Sequence, residues 1–403
     1  MRKMMTVQKA CQALADLDVR LETECIPVED AYGRVLAEKI MANIAVPSFR
    51  RSAYDGYALR SADIADASPA HPVTLKVTEV IPAGSVGRYP VTAGTAARVM
   101  TGAKVPEGAD TVVKHEDTQF TEEEVRFFQP VKAGNIVEIG EDVKQGACLI
   151  EPGKVIMAAD AAVMAGQGRE RVFVCRKPEI AIISTGSELL KQGQELTEGK
   201  IYNTNVHLLG GYLKKYGMIP KDCGIVEDDI RTLADRIQEA LHTSDMVLTT
   251  GGVSAGDFDY IPKVMEEIGA RLLFHKLPFK PGGAMLAAVK DGKVILGLSG
   301  NPGAAAVGML RVGLPYMKKL CGQRDISLAE AEAVLAEAFP KPSRGMRLLR
   351  GRAQIVGGEL VFHLLDHQEN GAVSSMLDCD LLGEIPAKSE ALPAGTRLRV
   401  FFV

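Results

Sequence analysis

The chain has 403 residues, 46% hydrophobic and 24% charged, with 40 glycines and 20 prolines. At about 150 residues per domain this is material for roughly two to four globular domains, and the composition is neither collagen-like nor that of a disordered chain. The 47 basic and 51 acidic side chains leave a formal charge of -4, which supplies no global positive field for nucleic acid or anionic lipid.

No run approaches the roughly 20 consecutive apolar residues that a spanning helix needs. The start, MRKMMTVQKA, has basic residues with no apolar stretch behind them. Neither a membrane span nor a secretion signal is therefore expected, and the cytoplasm is the predicted location. The seven cysteines (Cys11, Cys25, Cys148, Cys175, Cys223, Cys321 and Cys379) are scattered without C-x-x-C spacing, as free buried thiols would be. The histidines form no H-E-x-x-H pair, so a metal bound here would take oxygen ligands.

In chain order, Val7, Cys11, Leu14 and Ala15 fall at helical spacing behind a Thr6 cap and predict an opening helix over 6–16. A second short helical pattern covers 29–37. From 47 to about 140 the text is rich in Val, Thr, Gly and Pro, with alternating runs at 73–80 and 124–128, and predicts a separate β-rich lobe. Residues 144–175 return to mixed signals, with a helix of small side chains at 158–165 that would rejoin the opening helix in one discontinuous domain.

The clearest periodicity follows: strand 179–184, helix 203–216, strand 219–226, helix 229–242, strand 245–249, helix 259–268, strand 294–298 and helix 302–320. Such alternation predicts a parallel sheet covered by helices on both faces. The tail from 326 reads as β, with a hairpin turning at Gly357-Gly358 between 352–356 and 359–364. The predicted fold class is multidomain α/β, divided into 1–45 plus 141–176, 46–140, 177–325 and 326–403, without repeats or low-complexity runs.

Three predicted strands run into glycine-bearing loops: Ser184-Thr185-Gly186-Ser187-Glu188, Thr249-Thr250-Gly251-Gly252-Val253-Ser254-Ala255-Gly256-Asp257, and Gly297-Leu298-Ser299-Gly300-Asn301-Pro302-Gly303. In a parallel sheet all three belong to the edge where open α/β sheets hold ligands, and glycine lets backbone N–H groups approach closely. The helix beginning at Pro302 would aim its N-terminus at the same place, which favours an oxyanion. Glu188, Asp228, Asp257 and Asp259 lie on or beside these loops. Carboxylates converging on an anion site need a cation, and all-oxygen ligation suits Mg²⁺. Gly252-Val253-Ser254-Ala255-Gly256 also fits G-x-S-x-G after a strand, which raises a serine hydrolase using Ser254. Asp257 and Asp259 so close to that serine would oppose a developing oxyanion and count against it.

Ordered landmarks along nearly the whole chain resemble the molybdopterin molybdenumtransferase family, the MoeA and gephyrin E-domain group. They are Ser52-Ala53-Tyr54-Asp55-Gly56-Tyr57-Ala58, Met100-Thr101-Gly102-Ala103, Pro106-Glu107-Gly108-Ala109-Asp110, Gly140-Glu141-Asp142, Ser184-Thr185-Gly186-Ser187-Glu188-Leu189 and Thr250-Gly251-Gly252-Val253-Ser254. The resemblance implies a central three-layer α/β domain of the molybdopterin-binding type, a β-rich lobe, a discontinuous mixed N-terminal domain and a small C-terminal β-barrel.

It further implies a homodimer in which the central domain binds adenylylated molybdopterin (molybdopterin-AMP) and faces the lobe of the other copy. Mg²⁺ would assist cleavage of the phosphoanhydride, AMP would leave, and molybdate would pass to the dithiolene sulfurs. The molybdopterin adenylyltransferase is the delivery partner the resemblance suggests. The implied catalytic residues are Asp55, Thr101, Asp142, Glu188, Asp228 and Asp259. The implied substrate and anion contacts are Thr185, Gly186, Ser187, Gly251, Gly252, Ser254, Lys276, Lys280, Gly300, Asn301, Pro302 and Arg350. The implied metal ligands are Glu188, Asp228, Asp257 and Asp259.

Four places depart from the family pattern. Arg50-Arg51 replaces Asp-Asn, and Lys280-Pro281-Gly282-Gly283-Ala284 replaces Lys-Pro-Gly-Lys-Pro. Ser299-Gly300-Asn301-Pro302-Gly303-Ala304 replaces Pro-Gly-Asn-Pro-Val-Ser, and Gln368-Glu369-Asn370-Gly371 replaces Gln-Gly-Ser-Gly. The alternative expectation is a diverged paralogue that handles tungstate or binds the pterin without turnover.

Overall fold

The computed structural model describes residues 5–20, 22–253 and 260–403. It divides the chain into two units: Met1–Glu38, Pro152–Ala161 and Glu170–Val403 form the first, and Lys39–Glu151 with Ala162–Arg169 the second.

In the second unit six strands lie in the order Thr111–Lys114, Gly56–Leu59, Thr95–Val99, Val73–Ile81, Glu124–Phe127 and Thr118–Phe120. Only the Val73–Ile81 and Thr95–Val99 pair is parallel. The strand Gly56–Leu59 is buried along its whole length. Tyr57 and Leu59 enter a cluster with Phe127, and Ala58 enters a separate one with Ala97, Val99 and Val112, the period-2 division that a sheet covered on both sides requires.

The first unit opens with the expected helix, Val7–Ala15, whose Thr6 Oγ1 accepts the Lys9 N–H at 3.3 Å and whose Val7, Ala10 and Leu14 are buried. The second helix expected at 29–37 is absent. A single 3₁₀ turn, Val28–Asp30, is followed by Gly33 at φ +75° and by extended backbone in which Leu36 bridges to Val174 and Val35 to Val155. A left-handed glycine there breaks the helical path before a second turn can close. The strand Thr23–Pro27 pairs antiparallel with Arg171–Cys175.

Six strands build the central sheet: β1 (Glu179–Thr185), β2 (Ile219–Val226), β3 (Met246–Thr250), β4 (Arg271–His275), β5 (Leu286–Lys290) and β6 (Lys293–Leu298), in the order β2-β1-β3-β6-β5-β4. Residues Ile180 to Ile183 of β1 are all buried, as a nearly continuous apolar strand should be when both faces are covered. Ile180, Ile182, Met246, Leu248, Val294 and Leu296 face one core, which also takes Leu209 and Leu213 of α1 (Asn205–Lys215). Ala181, Ile183, Val247 and Ile295 face the other, with Leu233 and Ile237 of α2 (Ile230–Thr243) and Val264 of α3 (Ile261–Glu267).

The sheet is mixed rather than wholly parallel, which corrects the expectation. β2, β1, β3 and β6 run parallel, whereas β5 is antiparallel to both β6 and β4. Asp291 (φ +51°) and Gly292 (φ +76°) turn the β5–β6 hairpin, an Asp-Gly pair of the kind that matches the twist of two adjacent strands. The last helical run also departs from regularity: α4 (Pro302–Gly308) passes through a π turn at Met309–Gly313 into α5 (Leu314–Leu320). Pro315 cannot donate one turn back, and the Arg311 carbonyl accepts instead from Cys11 Sγ at 3.7 Å.

Beyond α5, β7 (Glu330–Leu335), β8 (Met346–Val356), β9 (Glu359–Leu364), β10 (Leu381–Ile385) and β11 (Arg397–Phe402) close a five-strand barrel, because β8 pairs with both β9 and β10. Phe362 belongs to its core, and a Cβ at Gly383 would stand 3.0 Å from that ring. No helix among the described residues is long and apolar enough to cross a membrane.

Candidate active site

The carboxyl ends of β1, β3 and β6 lie side by side, with Ser184 in register with Thr250 and Thr250 with Leu298. The three glycine-bearing loops therefore do share one edge. A backbone bond ties the second loop to the third, the Gly251 N–H donating to Leu298 O at 3.0 Å, and the Gly186 N–H of the first donates to Val226 O at the end of β2 at 3.4 Å. Thr185 is buried and its Oγ1 donates to Thr250 O at 3.2 Å. Gly251, at φ +99°, lies so close to Thr185 that a Cβ would collide with its hydroxyl and carbonyl, whereas a Cβ on Gly300 would meet the Gly251 Cα at 3.5 Å, an ordinary contact. Glycine at 251 thus lets the ends of β1 and β3 close into one floor.

Below that floor is a layer of polar groups that sequence reasoning missed. Asn203 Nδ2 donates to Ser184 Oγ at 2.9 Å, and Asn205 Nδ2 donates to Gly300 O at 2.8 Å. Asn203 Oδ1, Asn205 Oδ1, Thr249 Oγ1 and Thr250 Oγ1 are buried without a hydrogen-bond partner among the described residues. An unmade buried hydrogen bond costs about 1–3 kcal/mol; Thr250, in step with Met246 and Leu248, lies on the α1 face of the sheet, whereas Thr249, in step with Val247, lies on the other. In the sequence Asn203-Thr204-Asn205 reads as an ordinary helix start; only the meeting of α1 with the β6 loop reveals a second use.

Glu188 and Asp228 are exposed at the ends of β1 and β2. The Glu188 carboxylate folds back over Gly186, at 2.5 Å from where a Cβ would stand. Ser187 is exposed, and its carbonyl accepts from Lys200 Nζ at 2.6 Å. Ser254, Asp257 and Asp259 lie outside the described residues, so the hydrolase serine and two of the four expected metal ligands do too. Among the described residues no three His, Cys, Asp or Glu side chains gather as a metal site.

Lys276 follows β4 and, since His275 pairs with Leu286 and Leu286 with Gly297, stands at the same sheet edge. Lys280 is exposed and pairs through its backbone with Arg347 of β8. The departure at Gly283 is structural as well as chemical. The Leu277 N–H donates to Gly283 O at 2.8 Å, and a Cβ on Gly283 would collide with the Phe279 and Leu277 carbonyls. No lysine fits there while the loop keeps this path.

Asn301 and Pro302 open α4, but its N-terminus is partly claimed, because the Ala304 N–H already donates to Asn370 O at 3.2 Å. The anion expected at those N–H groups has fewer donors than the sequence suggested. Arg350 compensates. It is 0% exposed, a guanidinium on β8 whose Nη1 donates to Glu369 O at 3.2 Å and would stand 2.5 Å from a Cβ on Gly303. Its Nε and Nη2 have no hydrogen-bond partner among the described residues. Burial pushes its pKa down, and the Cys379 thiol and Glu369 offset this in part. Where the family resemblance leads one to expect valine, Gly303 leaves the space that the guanidinium occupies.

In the second unit Asp55 and Thr101 meet as one motif pair. The Thr101 N–H and its Oγ1 hydroxyl both donate to Asp55 Oδ1 at 2.7 Å, and these bonds, the hydroxyl first, hold the exposed carboxyl below its usual pKa. Asp142 is also exposed, its N–H donating to Val46 O at 3.0 Å. Arg50 is committed within this unit to Glu138 Oε1 at 3.2 Å and to Ala109 O at 3.1 Å. Replacing Thr101 with valine removes the hydroxyl donor but not the backbone one. The Asp55 titration followed by NMR should then move up toward the ordinary value of about 3.9 without reaching it. In the unaltered chain the stability this pair confers is present above the unfolded-state pKa and fades as pH falls through the lower folded value.

Residues 5–168 match the family described as MoeA N-terminal region (domain I and II), 181–319 the probable molybdopterin binding domain, and 332–402 the MoeA C-terminal region (domain IV). A protein of Bacillus subtilis named molybdopterin molybdenumtransferase is 35% identical over 408 residues, covering 100% of this chain and 95% of that protein. A Staphylococcus aureus protein of the same name is 34% identical over 98% of this chain and 94% of its own length. The crystal structure of a molybdopterin biosynthesis MoeA protein from Pyrococcus horikoshii superposes with a TM-score of 0.86 at 29% identity, covering 99% of each chain.

Proposed function

The chain belongs to the MoeA family of molybdopterin molybdenumtransferases, and from that premise we propose that it inserts molybdate into adenylylated molybdopterin with release of AMP. It is an enzyme of molybdenum cofactor biosynthesis. In this proposal it works as a cytoplasmic homodimer of four-domain chains, divided at 1–45 plus 141–176, 46–140, 177–325 and 326–403. Asp55, Thr101 and Asp142 of one copy serve the rim of the other, and the molybdopterin adenylyltransferase delivers the substrate.

The observation that carries this reading is Arg350, buried with two unclaimed N–H donors at the start of α4. A planar fork of donors recognises a tetrahedral oxyanion, and a guanidinium stripped of water binds one far more strongly than an exposed one. Lys276 at the same sheet edge and Lys280, whose backbone pairs with Arg347 of β8, would add positive charge. In this reading the unpartnered oxygens of Asn203, Asn205 and Thr250 would accept from ring N–H groups, as a pterin offers, and the Ser187, Gly252 and Gly300 N–H groups on the three loops would donate to the phosphates.

The donors that Glu188 and Asp228 offer are exposed carboxylate oxygens, hard ligands of the kind Mg²⁺ takes. These two, with Asp257 and Asp259, would hold the ion. When bound, it neutralises charge on the phosphoanhydride. Thr101 holds Asp55 ionised through its two hydrogen bonds, so that Asp55 can orient an attacking water as a fixed acceptor, though a carboxyl held below its usual pKa is a weak proton acceptor.

The test is incubation of the purified protein with adenylylated molybdopterin, Mg²⁺ and molybdate or tungstate, reading AMP and active cofactor. AMP release with cofactor formation is the expected result. The crowded Gly283 position, where no lysine fits, favours a second reading as a pterin-binding paralogue without turnover. Tight binding of the adenylylated pterin with no AMP would establish that reading instead.

A further inference from the structure

At the opposite edge of the central sheet, where Lys177 and Pro178 lead into β1 and Tyr216 and Gly217 approach β2, there is a cavity of about 490 Å³. Six cationic residues line it, Arg34, Arg176, Lys177, Lys214, Lys215 and Lys318, and no Asp or Glu does. That is a concentrated positive lining in a chain whose formal charge is -4. We propose that this cavity is a second ligand site, separate from the rim, that binds a phosphorylated small molecule.

The two arginines are already matched, Arg34 by Glu24 at 2.5 Å, and Arg176 by Asp245 at 2.8 Å and Glu22 at 2.9 Å. They set the walls without supplying the excess charge. The lysines supply it. Lys215 Nζ and Lys318 Nζ donate to the carbonyls of Val403 at 2.6 Å and Ser327 at 2.5 Å, which orders the ammonium groups without cancelling their charge. Burial holds the Lys318 pKa below its usual value, with Asp325 opposing, so an anion arriving there restores what desolvation removed. Lys177 and Lys214 are exposed and make no ion pair among the described residues.

A single phosphate would leave most of the cavity empty, since cavities of about 300–1,000 Å³ take whole organic ligands. Tyr32, 62% exposed, and the half-buried Tyr216 line it as well and offer apolar faces for the body of such a ligand. The ligand class is therefore a phosphate ester or anhydride carrying an organic group, with its phosphates toward Lys177 and Lys214.

Isothermal titration of the full chain with ADP and with inorganic pyrophosphate at low ionic strength tests this. Both are expected to bind, ADP more tightly, and both more weakly at high salt. Lys177→Glu with Lys214→Glu should weaken both by at least about tenfold, whereas Lys276→Glu with Lys280→Glu at the rim should change this binding by less than about twofold. Tyr32→Ala should remove the preference for ADP. Loss of binding in the rim variant alone, or no binding to the unaltered chain, overturns the proposal. Equal affinity for ADP and pyrophosphate overturns its organic half. If charge reversal lowers the melting temperature, the paired glutamine substitutions at Lys177 and Lys214 give the same reading, with retained affinity overturning the site.

Discussion

Replacing Arg350 with methionine should abolish molybdate insertion and at the same time make the ligand-free protein more stable. The guanidinium is fully buried, and Nε and Nη2 lack partners, so in the absence of an anion it bears a desolvation cost that its single bond to Glu369 O does not offset. Exchanging a buried charge for an apolar side chain of similar length stabilises by about 1–3 kcal/mol in comparable cases. Losing a preorganised donor pair lowers turnover by about 10²–10³-fold. Thermal unfolding of the variant without ligand and cofactor formation with molybdate are the two measurements. A variant that melts lower and still turns over would show that Arg350 is a packing residue and remove the oxyanion from this position.

Alanine at Gly251 should be the most damaging single methyl group at the rim. At φ +99° an L-residue is strained by about 1–3 kcal/mol on backbone grounds alone, and the added Cβ is driven into the hydroxyl and carbonyl of Thr185. The bond from Thr185 Oγ1 to Thr250 O would have to give way. We expect pterin affinity to fall at least about a hundredfold, since binding sites tolerate only about 0.5 Å of misplacement, and stability to fall by more than the strain alone. Gly33→Ala is the control: its φ is +75°, yet nothing stands within 4 Å of its Cβ position, so it should show the strain without the collision. Equal loss of stability in the two variants would mean that the Thr185 contact contributes nothing.

What could be read from the residues follows from how local each signal is. The strands ending in Thr185, Thr250 and Leu298, the Thr6 cap and the turn at Gly357-Gly358 all depend on near neighbours, and all appear in the structure. Gly56 shows why the Asp55-Gly56-Tyr57 landmark takes glycine, for a Cβ there would run into the Val113 carbonyl on the next strand. The mixed sheet was equally local and was missed. Asp291-Gly292 is a strong hairpin signal, and it makes the strand before it antiparallel.

Arg350 could be read as an anion contact only through the family resemblance, and its burial could not be read at all. Arg347, Arg350 and Arg352 share β8 with no alternation to mark one as inward, and its burial arises only when the barrel closes and Gly303 of another domain leaves room. Asn203 and Asn205 share that difficulty, since their second roles exist only where distant segments meet. The four acidic residues were grouped from their positions on adjacent loops; two of them fall outside the described residues, and the Glu188 carboxylate lies over Gly186.

The pairing of Thr23–Pro27 with Arg171–Cys175 has a consequence for how the chain emerges during synthesis. The early strand leaves the ribosome long before its mate exists, whereas the six strands between residues 56 and 127 find every neighbour within a short stretch of newly made polypeptide. A domain whose contacts are close in sequence forms before one that must await a distant segment. Stalled nascent chains ending shortly past residue 170 should therefore already carry a protease-resistant second unit, while the amino-terminal segment is still open to cleavage.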